Sequence, residues 1–143
     1  MYCTRKLTEQ VWWVGGSDRR LALFENLFPI TRGVSYNSYL ILDEQTAVVD
    51  TVDSSISRQF LENVLHTLDG RPLDYLVINH MEPDHCASIE TLLLRFPTLK
   101  LVGNAKTFAF MGQFYDFPLD GRTVTVKAVS YTHLRAHETD QYL

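Results

Sequence analysis

The chain has 143 residues, with 13 Lys+Arg against 17 Asp+Glu for a formal charge of −4, and 45% of it is hydrophobic. That is enough apolar material for the core of one globular domain, which excludes a disordered chain, and no basic stripe is present to follow a nucleic-acid backbone. No window approaches the roughly 18 to 20 apolar residues of a membrane span, and two cysteines, Cys3 and Cys86, make no disulfide framework, so the expectation is a cytoplasmic protein with neither nucleic-acid nor membrane partners.

The first half of the chain reads as a β-meander. Short strands are expected over residues 11–14, closed by Gly15-Gly16, and over 21–24, ahead of Pro29. A hairpin is expected with arms 36–42 and 46–49 around the polar loop Asp43-Glu44-Gln45. After Asp50 the period changes. Ile56, Phe60, Val64 and Leu68 recur at helical spacing, with Ser54 and Ser55 as possible caps and Gly70 and Pro72 as the stop. Residues 73–78 form an apolar run of strand length, consistent with burial on both faces. A helix follows on Ile89, Leu92, Leu93 and Phe96, then a strand over 99–102, a helix over 105–114 and a strand over 123–127. A meander followed by alternating strands and helices predicts an α/β layered fold.

The last residues read differently. The run VSYTHLRAHET at 129–139 back-translates into a sequencing-library adapter, so residues 128–143 are expected to be an artefactual tail and residues 1–127 the native domain. Excluding Arg135, Glu138 and Asp140 with that tail changes the charge from −4 to −3 and removes His133 and His137 from functional consideration.

The chemistry concentrates directly after the apolar run, in Asn79-His80-Met81-Glu82-Pro83-Asp84-His85-Cys86. His80, Glu82, Asp84 and His85 place imidazole nitrogens and carboxylate oxygens at the C-terminal edge of a strand, where open α/β sheets bind their ligands. Such a donor set suits iron, zinc or manganese. Pro83 stiffens the loop, and Asp84 sits where it can cap the following helix. The bland alternative is a solvated polar loop. Asp50, ending the hairpin, has two readings: a residue hydrogen-bonding a ligating histidine from behind, or a plain helix-entry residue. Met81 and Cys86 are read as packing residues, because harder donors are at hand. His66 is read as a helix-face residue, and the aromatic stretch Phe108, Phe110, Phe114, Tyr115, Phe117 as core or subunit contact.

The pattern His80-x-Glu82-x-Asp84-His85, with Tyr36-Asn37-Ser38-Tyr39-Leu40-Ile41 and Val49-Asp50-Thr51-Val52-Asp53 upstream, resembles the flavodiiron proteins. The resemblance implies the N-terminal half of a metallo-β-lactamase-like αββα sandwich. Hydrolases of that fold carry His-x-His-x-Asp-His, so Glu82 is the discriminating residue. Its hard, negative oxygen favours iron redox chemistry over a zinc pair activating water. The resemblance further implies two non-haem irons, one on His80 and Glu82 and the other on Asp84 and His85, with no catalytic residue beyond the metal ligands. It also implies FMN in a separate domain of the parent protein, dioxygen or nitric oxide as substrate, a rubredoxin-like or flavin electron donor, and a homodimer or homotetramer. Where some members carry a histidine near the metals, this chain has Phe24-Glu25-Asn26, and Glu25 is read as a surface loop residue. The function expected for the parent is reduction of dioxygen to water or nitric oxide to nitrous oxide. The alternatives are a dinuclear zinc hydrolase of the same fold and a non-enzymatic interaction module. The 143-residue chain by itself is expected to be inactive.

Overall fold

The switch from strand to helical periodicity after Asp50 is also the point where strand direction changes. The computed structural model describes residues 2–19, 23–24, 28–29, 33–116 and 118–127. Strands β1 (Arg5–Lys6), β2 (Val11–Trp13), β7 (Tyr39–Leu42) and β8 (Thr46–Val49) pair antiparallel, and β8, β9 (Tyr75–Val77), β10 (Lys100–Gly103) and β11 (Thr123–Thr125) pair parallel, giving one sheet of order β1-β2-β7-β8-β9-β10-β11. Parallel neighbours need crossovers, and helices supply them. Helix α1 (Ser57–Leu68) joins β8 to β9, α2 (Pro83–Cys86) and α3 (Ile89–Arg95) join β9 to β10, and α4 (Ala105–Phe114) joins β10 to β11. Two small ribbons complete the described residues: β3 (Gly16–Asp18) with β6 (Val34–Tyr36), and β4 (Leu23–Phe24) with β5 (Phe28–Pro29).

The stripe expected on α1 is the core stripe: Ile56, Phe60, Val64 and Leu68 are 6%, 1%, 0% and 1% exposed. Removing four such side chains from water stabilises by about 1.5–3 kcal/mol each. The starting cap differs from expectation. Asp53, not Ser54 or Ser55, caps: its carboxylate accepts the Ser55 N–H at 2.9 Å and opens a 3-10 turn, Ser54–Ile56, ahead of α1. At the far end Asp69 and Gly70 both take positive φ, 49° and 87°, and Pro72 follows.

The expected arm 36–42 is broken at Asn37-Ser38. Tyr36 ends β6 in the small ribbon and Tyr39 begins β7 in the large sheet. The crossing is fastened by Val14 N–H on the Ser38 carbonyl (2.9 Å) and the Ser38 hydroxyl on the Asp50 carbonyl (2.8 Å). Gly15 permits it, since a Cβ there would stand 2.0 Å from the Tyr36 carbonyl oxygen. Buried Asn63 on α1 holds the Val14 and Gly15 carbonyls, each at 3.0 Å. Of the expected strand 21–24, only β4 is described. Glu25, Phe117 and the adapter-like residues 128–143, with His133 and His137, lie outside the described residues.

The two faces of the large sheet differ. Register aligns Trp12, Leu40, Val48, Leu76, Leu101 and Thr123 on one face, of which Leu40, Val48, Leu76 and Leu101 are completely buried in one cluster with α1, α3 and Met111 of α4. The other face carries Trp13, Tyr39, Val49, Val77, Val102 and Val124, all of them partly exposed. Among the described residues no helix is long and apolar enough to cross a membrane.

Candidate metal centre

Parallel pairing of β8 with β9 brings two loops to one sheet edge, because Val49 lies opposite Val77 and both strands end together. Asp50 leaves β8 with φ 59°, a left-handed conformation that aspartate tolerates better than most residues. Its N–H donates to the Val77 carbonyl at 2.9 Å. Its carboxylate Oδ1 accepts the backbone N–H groups of Asn79 at 2.8 Å and His80 at 3.0 Å. Asp50 therefore holds the main chain of the donor loop. It bonds neither histidine ring: of its two readings, the hydrogen bond to a histidine is the one the geometry shows, made to His80 through the main-chain N–H. Burial pushes its carboxyl up from the ordinary range, the two backbone N–H groups oppose that, and His85 and His80 oppose it more weakly. Asp50→Asn keeps an Oδ1 acceptor and the tolerance for positive φ, and should cost under about 1 kcal/mol; Asp50→Ala loses both and should cost about 2–3 kcal/mol in denaturant unfolding of the intact protein.

The donor loop ends in α2, one helical turn begun by a proline. The Glu82 carbonyl accepts the N–H groups of His85 (2.9 Å) and Cys86 (3.0 Å). Asp84 lies inside the first turn and not at the cap position expected for it. This turn folds the sequence motif into a cluster. His80 Nε2 is 3.5 Å from Glu82 Oε2 and 3.6 Å from Asp84 Oδ1, and one donor atom from each of these three residues lies within 4.8 Å of the others. His85 adjoins them, its Nε2 3.8 Å from Asp84 Oδ2 and its ring 5.4 Å from that of His80, edge to face at 75°. Two ligands each about 2.1 Å from one ion stand about 3.0–3.4 Å apart at octahedral or tetrahedral angles, so the two His80 contacts lie within tenths of an ångström of ligand spacing.

The environment also fits a cation. Among the described residues, Asp84 Oδ1 is a buried oxygen with no hydrogen-bond partner. An unpaired buried carboxylate oxygen is expensive, and an ion in front of it removes the cost. The side chains of Asp84 and His85 are 16% and 22% exposed and form the floor, whereas those of His80 and Glu82, at 42% and 62%, form the open rim.

Two residues at this centre have no signal in the sequence that singles them out. Tyr36 is buried and sets its ring 6.4 Å from His85 at 77°, and its phenol is pushed up to about 12, first by burial and then by Asp53, Asp18 and Asp84. Thr51, completely buried, bonds His85 through both backbone and side chain. Cys86 and Met81 sit in and against the core; the Cys86 thiol meets the Met81 carbonyl at 3.3 Å and the Tyr115 hydroxyl donates to the Cys86 carbonyl at 2.9 Å. His66 is exposed on α1 and stacks on Tyr2 at 3.4 Å. In the aromatic stretch, Phe108 and Tyr115 pack against the core while Phe110 is 44% exposed.

Comparison with known proteins places this geometry. The model of the ODP family beta lactamase matches residues 34–141. An anaerobic nitric oxide reductase flavorubredoxin of Aliivibrio fischeri is 41% identical over 95 residues, 66% of this chain and 19% of that protein. The crystal structure of the flavodiiron protein from Giardia intestinalis superposes with a TM-score of 0.77 at 27% identity, covering 87% of this chain and 30% of that one. Rubredoxin oxygen:oxidoreductase of Desulfovibrio gigas superposes with a TM-score of 0.76 at 25% identity, covering 90% and 32%. The chain thus spans about a fifth of the curated relative and about a third of the solved structures. Its mixed sheet with helices packed on one face is the α/β fold of the metallo-β-lactamase-like domain in those structures.

Proposed function

Since the chain belongs to the ODP family of β-lactamase-like domains and is related to the flavodiiron proteins, we propose that it is the diiron-binding part of an oxidoreductase that reduces dioxygen to water or nitric oxide to nitrous oxide. In that reading two non-haem irons supply one-electron redox chemistry and FMN, from a part of the protein outside this chain, relays electrons from a rubredoxin-like or flavin donor. The working assembly is a homodimer or homotetramer in the cytoplasm, and residues 128–143 form a non-native tail behind a native portion that ends near Lys127.

The residues of this chain bind and orient. His80 and Glu82 hold one iron, and Asp84 and His85 the other. Asp50 sets the entry angle of the loop by fixing the main chain at Asn79 and His80. Tyr36 keeps its proton at neutral pH and packs its ring edge to face with that of His85. The observation that carries the redox reading is Glu82 in the cluster with His80 and Asp84, since a second hard oxygen donor favours iron over a zinc site rich in imidazole. A dinuclear zinc hydrolase is the second reading, because the same fold and the other three donors serve both chemistries.

Metal and flavin analysis of the intact protein separates them. About two irons per chain together with bound flavin are expected. Two zincs with neither iron nor flavin would establish the hydrolase reading in its place.

A further inference from the structure

We propose that Thr51 is the positioning residue for His85, holding its ring and its backbone so that Nε2 alone faces the metal centre. The proposal rests on the reading above only in taking His85 Nε2 as a ligand atom.

Thr51 follows Asp50 out of β8 and is completely buried. Its carbonyl oxygen lies 3.2 Å from His85 Nδ1. A carbonyl only accepts, so the imidazole must donate, and Nδ1 carries the proton. In the neutral ring the lone pair then belongs to Nε2, the nitrogen 3.8 Å from Asp84 Oδ2 at the floor of the cluster. The same threonine reaches back to the main chain. Its N–H and its hydroxyl both donate to the His85 carbonyl, at 2.9 and 2.8 Å.

Three hydrogen bonds thus join two residues 34 positions apart. They matter because α2 is a four-residue turn, too short to hold its own shape. Thr51 sets the ring rotation through Nδ1, and the Tyr36 ring packs edge to face with the imidazole at 6.4 Å. Metal-ligating histidines owe orientation and basicity to the acceptor on the second nitrogen, and losing such partners typically costs about 10–100-fold in metal affinity.

The test uses the intact protein with nitrogen-15 histidine rings, the metals removed by chelation and the pH mildly alkaline so that imidazoles are neutral; His85→Ala identifies the His85 signals. His85 is expected to show a protonated Nδ1 and an unprotonated Nε2. Thr51→Val keeps the shape and backbone and deletes the hydroxyl. The Thr51 carbonyl stays on Nδ1, so the Nδ1-protonated signature should persist, while the freed His85 main chain should speed iron loss to a chelator from the loaded protein by about tenfold and Thr51→Ser should stay within about threefold of the parent. A protonated Nε2 in the parent, or a valine variant that loses iron no faster than the parent, would overturn the proposal. If the valine variant does not fold, the parent ring signature alone decides. Iron held as tightly by His85→Ala as by the parent would sink the ligand assignment of His85 while leaving the Nδ1 proton, and so the role of Thr51, standing.

Discussion

On the proposed diiron reading, Glu82→His is expected to convert the centre from an iron site to a zinc site, with iron content falling toward zero in the intact protein and the proposed oxygen and nitric oxide reduction falling by at least about a hundredfold. The substitution replaces a negative hard oxygen with a neutral nitrogen, creating the His-x-His-x-Asp-His order of the hydrolytic members of the fold. Zinc outcompetes ferrous iron on nitrogen-rich sites, and the lost charge removes the stabilisation of ferric over ferrous iron. The fold should survive. The Glu82 side chain is 62% exposed, and its structural contribution, accepting the His85 and Cys86 N–H groups, is made by the backbone carbonyl, which histidine keeps. Glu82→Asp retains the carboxylate and should retain iron with a smaller loss of rate. Element analysis and turnover of the intact protein check both. A histidine variant with full iron and full turnover would remove Glu82 as the residue that sets the chemistry.

How far the sequence carried these conclusions depended on whether a feature is written in side chains or in backbone. The α1 stripe is legible because period and burial coincide at Ile56, Phe60, Val64 and Leu68. The donor run is legible as a cluster because four side chains with potential ligand atoms fall within six residues. The break at Asn37-Ser38 is not, since two polar residues do not by themselves end a strand, and only the close approach at Gly15 and the Ser38 bonds show that the chain changes sheets. Capping by Asp53 in place of the serines was equally hidden, because aspartate and serine both cap well and the choice falls to the 3-10 turn. Asp50 was legible as a hydrogen-bond partner for a histidine but not in the main-chain route it takes, and the role of Thr51 not at all, because both act on backbone N–H and C=O groups that every residue possesses.

The other large effect is expected in solution: the 143-residue chain expressed by itself should self-associate at micromolar concentration. The sheet face opposite the helices is the reason. Trp13, Tyr39, Val49, Val77, Val102 and Val124 form a continuous apolar row across six strands and remain partly exposed, while the matching row on the helix side has four residues at 0%. The two sheet edges reinforce the contrast. Strand β1 is two residues long, and both, Arg5 and Lys6, are exposed charges, a common protection against edge pairing. Strand β11 has none: its residues are Thr-Val-Thr, with Val124 37% and Val126 47% exposed, and among the described strands only β10 pairs with it. A formal charge of −4 spread over the whole chain supplies little repulsion to oppose contact at such an edge. Size-exclusion chromatography with light scattering should therefore show species larger than the monomer, with strong binding of a hydrophobic dye. Val124→Lys with Val126→Lys places charges on the unguarded edge and should shift the distribution toward monomer while the row on the face keeps binding dye. A monodisperse monomer that binds no dye would show that this face is covered in the isolated chain and that its apolar row drives no association.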